Sequence, residues 1–468
     1  MSDRNGRELS RREVLRRGAL GAAGVASFSV LGSIPRSMRA SLASTSRLAV
    51  MDRGGTASFA EAAVDWKQFA GTTITATLNV QPWSTGLKNF VAEFEKLTGI
   101  TVVLNLLGEA EYKAKVPLEL AAHSATPTTY DFDQMGEVIH SGWAAPLDEF
   151  IADPSLTDKS WFDMGDFFPA PLAVGSSGGK LYGLPHDLNV QVLWARKDLV
   201  PRQPETFEEL IAAAANAQAK ASKAGVKTHG IGMRSKPDES TWWSWAGFLF
   251  SYGGELVNAK ARPSLNSAAS IASAELYGKL LRDYGAPGGS EWGWEENQAA
   301  FTAGAIAMFP DAMSFGGTFL SPHTNKYADQ TVMYRLPSHN GVSRPDIATW
   351  LQVINPRAPE KEQKAAWLFI EWALSKATFA KTVAYSTDPP RKSSYGLPVF
   401  RKLLGGNVST AESVLSGADG VPYSYIMADP TITPVLLDVG IALNSIIIGK
   451  ESASAAMASA QRAAAAGK

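Results

Sequence analysis

The chain has 468 residues, enough for two or three domains, and its 45% hydrophobic and 19% charged content is that of a globular protein. Its net charge of −1 hides an asymmetry, because residues 1–43 hold eight arginines against three acids. The remainder is therefore acidic, without the basic stripe that nucleic acid requires, and the absence of cysteine excludes disulfides, thiolate-bound metals and thiol catalysis.

The chain begins MSDRNGRELSRREVLRRGALGAAGVASFSVLGSIP. A basic segment precedes an apolar stretch, Ala19 to Ile34, that falls short of the ~20 residues a membrane-spanning helix needs. It is rich in Gly and Ala, as the core of a signal peptide can be. Ser10 to Arg16, SRREVLR, resembles a twin-arginine export signal, with Val14 where Phe or Leu is more usual. Ser41-Leu42-Ala43 offers a small-residue cleavage site. Residues 1–43 are thus expected to form a signal peptide and 44–65 a flexible leader. The body is expected to be periplasmic or otherwise extracytoplasmic, and not lipid-anchored. The apolar run Val435 to Ile448 is interrupted by Asp438 and Asn444, so it reads as a core helix.

Ordered structure is expected from DWKQFAGTTITATLNV. Ile74 to Val80 is β-rich and ends at Gln81-Pro82-Trp83. Phe90, Val91, Phe94 and Leu97 have helical spacing, Gly99 stops that helix, and Ile100 to Leu107 is a second strand. This βαβ order predicts a parallel sheet. Further along, TTYDFDQMGEV reads as a strand end, loop and helix, and GGKLYGLPHDLNVQVLWARKDL as β-rich runs broken by Pro185. PETFEELIAAAANAQAKASKAG is a marked helix, with Thr206 and Glu209 as a capping box and Gly225 beyond its end. TWWSWAGFLFSYGG is helical up to Gly253-Gly254, and KEQKAAWLFIEWALSKATFAKTV is a long amphipathic helix. The Ala-rich tail is expected to fray.

Several catalytic look-alikes fail on context. Gly175 to Gly179 fits Gly-x-Ser-x-Gly, but prolines precede it and a β-like run follows, where a nucleophile elbow needs a strand before and a helix after. Asp131 to Glu137 begins like a calcium loop but has Met135 at position five and Gly142 at position twelve. GIGMRS lacks the last glycine of a dinucleotide fingerprint, and the six histidines show no HExxH pattern. No cofactor or metal is expected.

The blocks EFEKLTGITV, GWAAPLDEFI, GKLYGLPHDLNVQVLWARKDLVP, PETFEELIAAA, ENQAAFTAGAIAMFPDAMSFGG, KAAWLFIEWALSK and PPRKSSY follow one another in this order. Across roughly residues 66–460 the chain resembles extracellular solute-binding proteins of carbohydrate ABC importers. From DYGAPGG through PPRKSSY it is similar to sorbitol/mannitol-type members in particular. The resemblance implies an α/β protein of two lobes joined by a hinge, with ligand held in the interlobe cleft. It implies a monomer that binds a sugar or sugar alcohol and delivers it to permease subunits in the membrane. Lobe 1 is expected over 66–184 and 337–384, lobe 2 over 185–336 and 385–468, with crossing strands near Leu184–Asn189 and Arg335–Pro337. The alternative is a secreted glycoside hydrolase with paired carboxylates, which sequence spacing alone leaves open.

A polyol or sugar site needs flat aromatic surfaces and fixed donors and acceptors. Trp83 follows the first strand, where α/β sheets present ligands. Asp133 and Gln134 follow the third, beside Asp131. Asp187 and Asn189 lie where the chain crosses lobes. Asp311 ends an apolar strand, where it also suits a helix N-cap. Trp350 sits where the family places cleft residues, and Arg391 follows Pro389-Pro390. In the segment TWWSWAGFLF, Trp242 and Trp245 share a helical face continued by Ala246, Leu249 and Phe250, and that face reads as core. Trp243 points roughly 100° away and is the expected platform. Trp292, in the loop SEWGWEEN with Glu291 and Trp294, is an expected rim residue.

Overall fold

The computed structural model describes residues 59–258, 262–417, 423 and 426–466. The expected signal peptide and most of the expected leader lie outside the described residues. No helix among those described is long and apolar enough to cross a membrane.

The first sheet starts as the βαβ pattern predicts. Strands β1 (Thr73–Asn79) and β2 (Thr101–Leu107) pair in parallel, with Thr73 opposite Thr101 and Asn79 opposite Leu107. Between them run α1 (Pro82–Leu87) and α2 (Val91–Thr98), the latter closed by Gly99 at φ 70°, a conformation that glycine adopts without strain. Helix α3 (Glu109–Ala121) leads to β3 (Thr129–Phe132), parallel to β1, and α4 (Met135–His140) follows. The Gly175–Gly179 segment forms the hairpin of β4 (Ser176–Ser177) and β5 (Lys180–Leu181). Gly178 and Gly179 both have positive φ, as a two-residue hairpin turn demands, so the elbow geometry is absent there.

Strand β6 (Leu184–Pro185) edges the first sheet, and β7 (Asn189–Arg196) is the centre of a second. Its residues after Asn189 are all buried, which matches its unbroken apolar run. Helix α5 (Phe207–Lys223) starts at Thr206, whose hydroxyl accepts from the Glu209 N–H. The Glu209 carboxylate reaches back to the Glu205 N–H, one residue earlier than a capping box requires. Helices α6 (Thr241–Ser251), α7 (Ala268–Tyr284) and α8 (Trp294–Ala303) cover the second sheet. That sheet is completed by β8 (Met308–Ala312) on one side of β7, with β9 (Thr331–Tyr334) and β10 (Ile347–Ala348) on the other, all antiparallel to β7.

Strand β11 (Leu351–Ile354) returns to the first sheet between β3 and β6, giving the order β2-β1-β3-β11-β6. The expected crossing at Arg335–Pro337 lies too early. Ser338 still exchanges backbone bonds with Glu205 and Phe207, and β10 still pairs with β7, so the chain crosses at Thr349–Trp350. At the later passage the chain touches both lobes, since Thr387 donates from its N–H to the Ser314 carbonyl and from its hydroxyl to the Met313 carbonyl. Arg391 and Ser393 are bound to Asp166 beside the first core, and Asn407 accepts from the Met333 N–H of β9.

Helix α9 (Glu360–Ala373) packs in the first core with Phe94, Trp367 and Trp372 fully enclosed. Helices α10 (Ile432–Ile447) and α11 (Ala453–Ala466) close the second lobe. The Ala-rich tail does not fray up to Ala466. Ala453, Ala456, Ala460 and Ala464 form a buried stripe, and such small side chains let α11 lie close against α10.

Candidate functional site: an interlobe cleft

A cleft of about 720 Å³, its open mouth included, lies between the two sheets. The first lobe supplies Asn79 to Pro82 after β1, Glu109 and Lys113 from the first turns of α3, and Asp133 and Gln134 after β3. These are the carboxyl ends of parallel strands and a helix N-terminus, where an open α/β sheet leaves a crevice. The second lobe supplies Arg234, Glu239, the first turn of α6, Trp294 and Tyr423. Asn189 and Trp350 come from the crossing segments.

Arg234 is fixed before any ligand arrives. Its Nε and Nη2 donate to the two carboxylate oxygens of Asp311, each at 2.8 Å, and Asp311 is fully buried. The guanidinium lies 5.0 Å from the Trp243 ring centre, and the Tyr277 hydroxyl donates to the Arg234 carbonyl at 2.6 Å. Burial opposes the guanidinium charge. The attraction and hydrogen bonds of Asp311, with Glu109 and Glu295 further off, outweigh it and hold the pKa above its usual value. The pair leaves Nη1 uncommitted to Asp311.

Across the cleft, Lys113 lies 2.5 Å from Asp133 and 3.5 Å from Glu239 of the opposite lobe. Burial depresses its pKa, and Asp133 and Glu239 more than reverse that. Glu239 also accepts from Gln134 Nε2 at 3.3 Å, and Glu109 Oε2 accepts from Trp294 Nε1 at 3.0 Å. Both bonds join one lobe to the other. Burial raises the Glu109 pKa, against the lowering pull of Arg234 and Lys113.

Of the residues singled out from sequence, Asp133, Gln134, Asn189, Trp243 and Trp350 line this cleft. Trp243 donates from Nε1 to the Ile347 carbonyl at 3.2 Å, and Trp350 lies beneath Lys113, whose Nζ is 4.8 Å from its ring centre. Asn189 accepts from the Ser314 N–H at 3.4 Å.

The other five do not line it. Trp83 is at the second position of α1 and turns inward, stacked on His186 at 4.2 Å and 12°. Asp187 is buried in the hinge, where its Oδ1 accepts from the Trp350 N–H at 2.7 Å and so ties two crossings together. Burial and the nearby Asp388 charge push its pKa well above the carboxylate range. Asp311 sits behind Arg234 and reaches the cleft only through it. The Trp292 side chain packs on the second core, and its carbonyl accepts from Ser235 and Lys236. Arg391 is fully buried, donating to the carbonyls of Leu374, Asp163 and Phe162, with Asp166 at 3.4 Å. It is a structural clamp in the first lobe.

Trp242 is buried in the core as expected, and it also lines the cleft beside Trp243 and lies nearly parallel to Tyr423, ring centres 6.3 Å apart. Helix α6 presents its first turn end-on, so two residues on different faces both reach the opening. Trp245, one turn deeper, is fully buried as expected. Glu109, Lys113, Arg234, Glu239 and Tyr423 had no expected role. Glu109 follows β2 much as Trp83 follows β1, so the strand-end rule carried a signal for it. Arg234 lies in GIGMRS, a segment weighed only as a dinucleotide motif.

Residues 79–378 match the family model described as bacterial extracellular solute-binding protein. The chain belongs to that family. This solute-binding protein is 26% identical over 345 residues to the mannitol-binding protein of Pseudomonas aeruginosa, covering 69% of this chain and 75% of that one. It is 23% identical over 394 residues to the erythritol/L-threitol-binding protein of Mycolicibacterium smegmatis, covering 76% and 78%. Among solved structures, it is similar to an ABC-transporter solute-binding protein of Agrobacterium radiobacter in complex with ribitol. The TM-score is 0.78 at 22% identity, covering 85% of this chain and 99% of that one. A homologue from Agrobacterium vitis with bound D-mannitol gives a TM-score of 0.73 at 24% identity, covering 84% and 97%. These likenesses establish the two-lobe fold. Family membership places the protein among binders of solutes and away from the hydrolase alternative.

Proposed function

We propose that this solute-binding protein captures a sugar or sugar alcohol between its lobes and delivers it to the permease of an ABC importer. The observation that carries the reading is the cleft itself. Aromatic faces (Trp242, Trp243, Trp350) stand beside polar groups already oriented by protein partners (Arg234 by Asp311, Asp133 by Lys113), and they come from both lobes and the hinge. C–H faces of a polyol would rest on the rings, and its hydroxyls would meet Asp133, Gln134, Asn189, Glu109 and Arg234. Asp311 is a positioning residue that acts through Arg234. The relatives named for mannitol and erythritol/threitol, and the structures holding ribitol and mannitol, support a polyol within that class. Export by the twin-arginine route to the periplasm, and action as a monomer, complete the proposal. They rest on SRREVLR and on the family.

A panel of sugars and polyols tested by thermal shift checks it, because a ligand that binds only the folded state raises its apparent stability. A stabilising polyol bound one to one, without turnover, is expected. Turnover of a glycoside would replace this reading with a hydrolase. Arg11→Lys with Arg12→Lys should keep the protein in the cytoplasm, and normal export of that variant would remove the twin-arginine route.

A further inference from the structure

The charges of the cleft do not balance. Arg234 is matched by Asp311 through two hydrogen bonds of 2.8 Å. The remaining lining groups are three carboxylates, Glu109, Asp133 and Glu239, around the single ammonium of Lys113. Lys113 is 2.5 Å from Asp133 and 3.5 Å from Glu239. Among the described residues, Glu109 is in no ion pair. Its one bond is from the neutral Trp294 indole to Oε2, which leaves Oε1 outside that contact. A ligand entering here displaces water and lowers the local dielectric, so uncompensated charge counts for more than it does on the surface. A neutral hydroxyl can donate to Oε1, and an ammonium can do so with charge assistance. A carboxylate or a phosphate dianion cannot donate through its charged oxygens, and it finds the charge of both cations already matched by acids.

We propose that Glu109 sets the charge selectivity of the cleft, admitting neutral and amine-bearing polyols and refusing aldonates and sugar phosphates. This rests on the cleft being a polyol or sugar site. Glu109 suits the role because it faces both the opening and the far lobe. A ligand that repels it also works against the Trp294 bond that spans the cleft, so refusal acts on closure as well as on contact. Arg234 does not rescue an anion. Glu109 and Glu295 already add to the negative surroundings that Asp311 gives it.

The test is isothermal calorimetry on the full-length mature protein with D-mannitol, D-sorbitol and ribitol, each beside its 1-amino-1-deoxy derivative and its aldonate. For the polyol that binds best, the amine should bind within about threefold or tighter, and the aldonate at least ~100-fold weaker, a difference of about 2.7 kcal/mol. Glu109→Gln keeps the shape and the Trp294 acceptor, and should narrow the polyol-to-aldonate ratio at least tenfold. Glu109→Asp, which retains the charge, should keep most of it. An aldonate that binds wild type within threefold of its polyol overturns the inference, whether or not the variants fold. So does a ratio that Glu109→Gln leaves unchanged. If none of the three neutral polyols or other sugars binds, the proposed function fails first, and this inference fails with it.

Discussion

The two walls of the cleft hold their cations by different means. In the second lobe, Arg234 is bound to a fully buried Asp311 of its own lobe, rests against Trp243, and is steadied through its carbonyl by Tyr277. In the first lobe, Lys113 divides itself between Asp133 at home and Glu239 across the gap. One wall is finished before the lobes meet, and the other is completed only when they do. A binding protein that closes on its ligand gains from this division. The rigid wall offers a preformed surface, and the unfinished one contributes contacts that favour the closed form alone.

The contrast is broken most forcefully at Asp311. Asp311→Ala leaves a buried guanidinium unpaired and should cost about 3–5 kcal/mol in denaturant unfolding. It should also abolish the ligand-induced compaction seen by small-angle scattering. Asp133→Ala removes one partner of Lys113 but leaves Glu239 at 3.5 Å, so its stability loss should be smaller than that of Asp311→Ala while affinity falls. Equal losses for the two would mean that the walls are not built differently.

Within the second wall, depth along α6 decides what a tryptophan does. Trp245→Ala removes a fully buried ring and should destabilise by about 3–5 kcal/mol. Trp243 is nearly as buried and donates to Ile347, so Trp243→Ala should destabilise as well, though less than Trp245→Ala, and should also weaken ligand binding. Equal drops in melting temperature would undo that assignment.

How much of this was legible follows from which signals are local. The start of the first sheet was legible because amphipathic spacing and Gly99 are read within a few residues, and Asp133 and Gln134 came with it as the loop after β3. The cleft role of Trp242 was not, because all eleven residues of α6 are buried and the helix has no polar face from which to judge its direction. The late crossing at Thr349–Trp350 was hidden because β9, β10 and β11 are each short and apolar, and only their partners separate them. Arg391 was singled out by its place after Pro389-Pro390 in the block PPRKSSY, and nothing local shows that it is enclosed. Its partners, carbonyls at Phe162 and Asp163, are remote in sequence.

The lobes should also differ in their answer to pH. Glu371, on α9 in the first core, is fully buried with neither carboxylate oxygen hydrogen-bonded among the described residues, and burial pushes its pKa up to about 9. A carboxyl with a raised folded pKa keeps its proton in the native state while the unfolded chain has lost its own. The contribution of Glu371 to stability is therefore greatest below the ordinary pKa near 4.5 and is lost as pH rises toward 9. One such group contributes a slope of at most about 1.4 kcal/mol per pH unit. Glu371→Gln should flatten the decline in stability between pH 5 and 8, measured by urea unfolding. An unaltered slope would mean that this carboxyl ionises freely in the folded protein.

The smallest effect should come from the seam itself, at Gly136 on α4. A Cβ placed there would meet the carbonyl carbon and oxygen of Ala428 at 2.4 Å and the Asp429 carbonyl carbon at 2.9 Å. Those residues lead into α10 of the second lobe, where Asp429 accepts from the Thr431 and Ile432 N–H groups. Close by, the Thr433 hydroxyl donates to Gln134 at 3.2 Å across the same seam. Backbone cannot swing aside as the end of a long side chain can, so an alanine at 136 must hold the lobes further apart. It does so only when they are together, because separated lobes leave it in open space. The substitution also raises helix propensity by up to about 1 kcal/mol, so the first lobe itself should be no less stable. Gly136→Ala is therefore expected to leave the melting temperature of the ligand-free protein unchanged or slightly raised. It should weaken polyol affinity roughly tenfold, about 1.4 kcal/mol taken from the closed form. Scattering at saturating ligand should show a slightly larger radius of gyration than wild type. Unchanged affinity in Gly136→Ala would mean that the seam at α4 does not take part in closing, and that the first wall is completed by Lys113 and Glu109 alone.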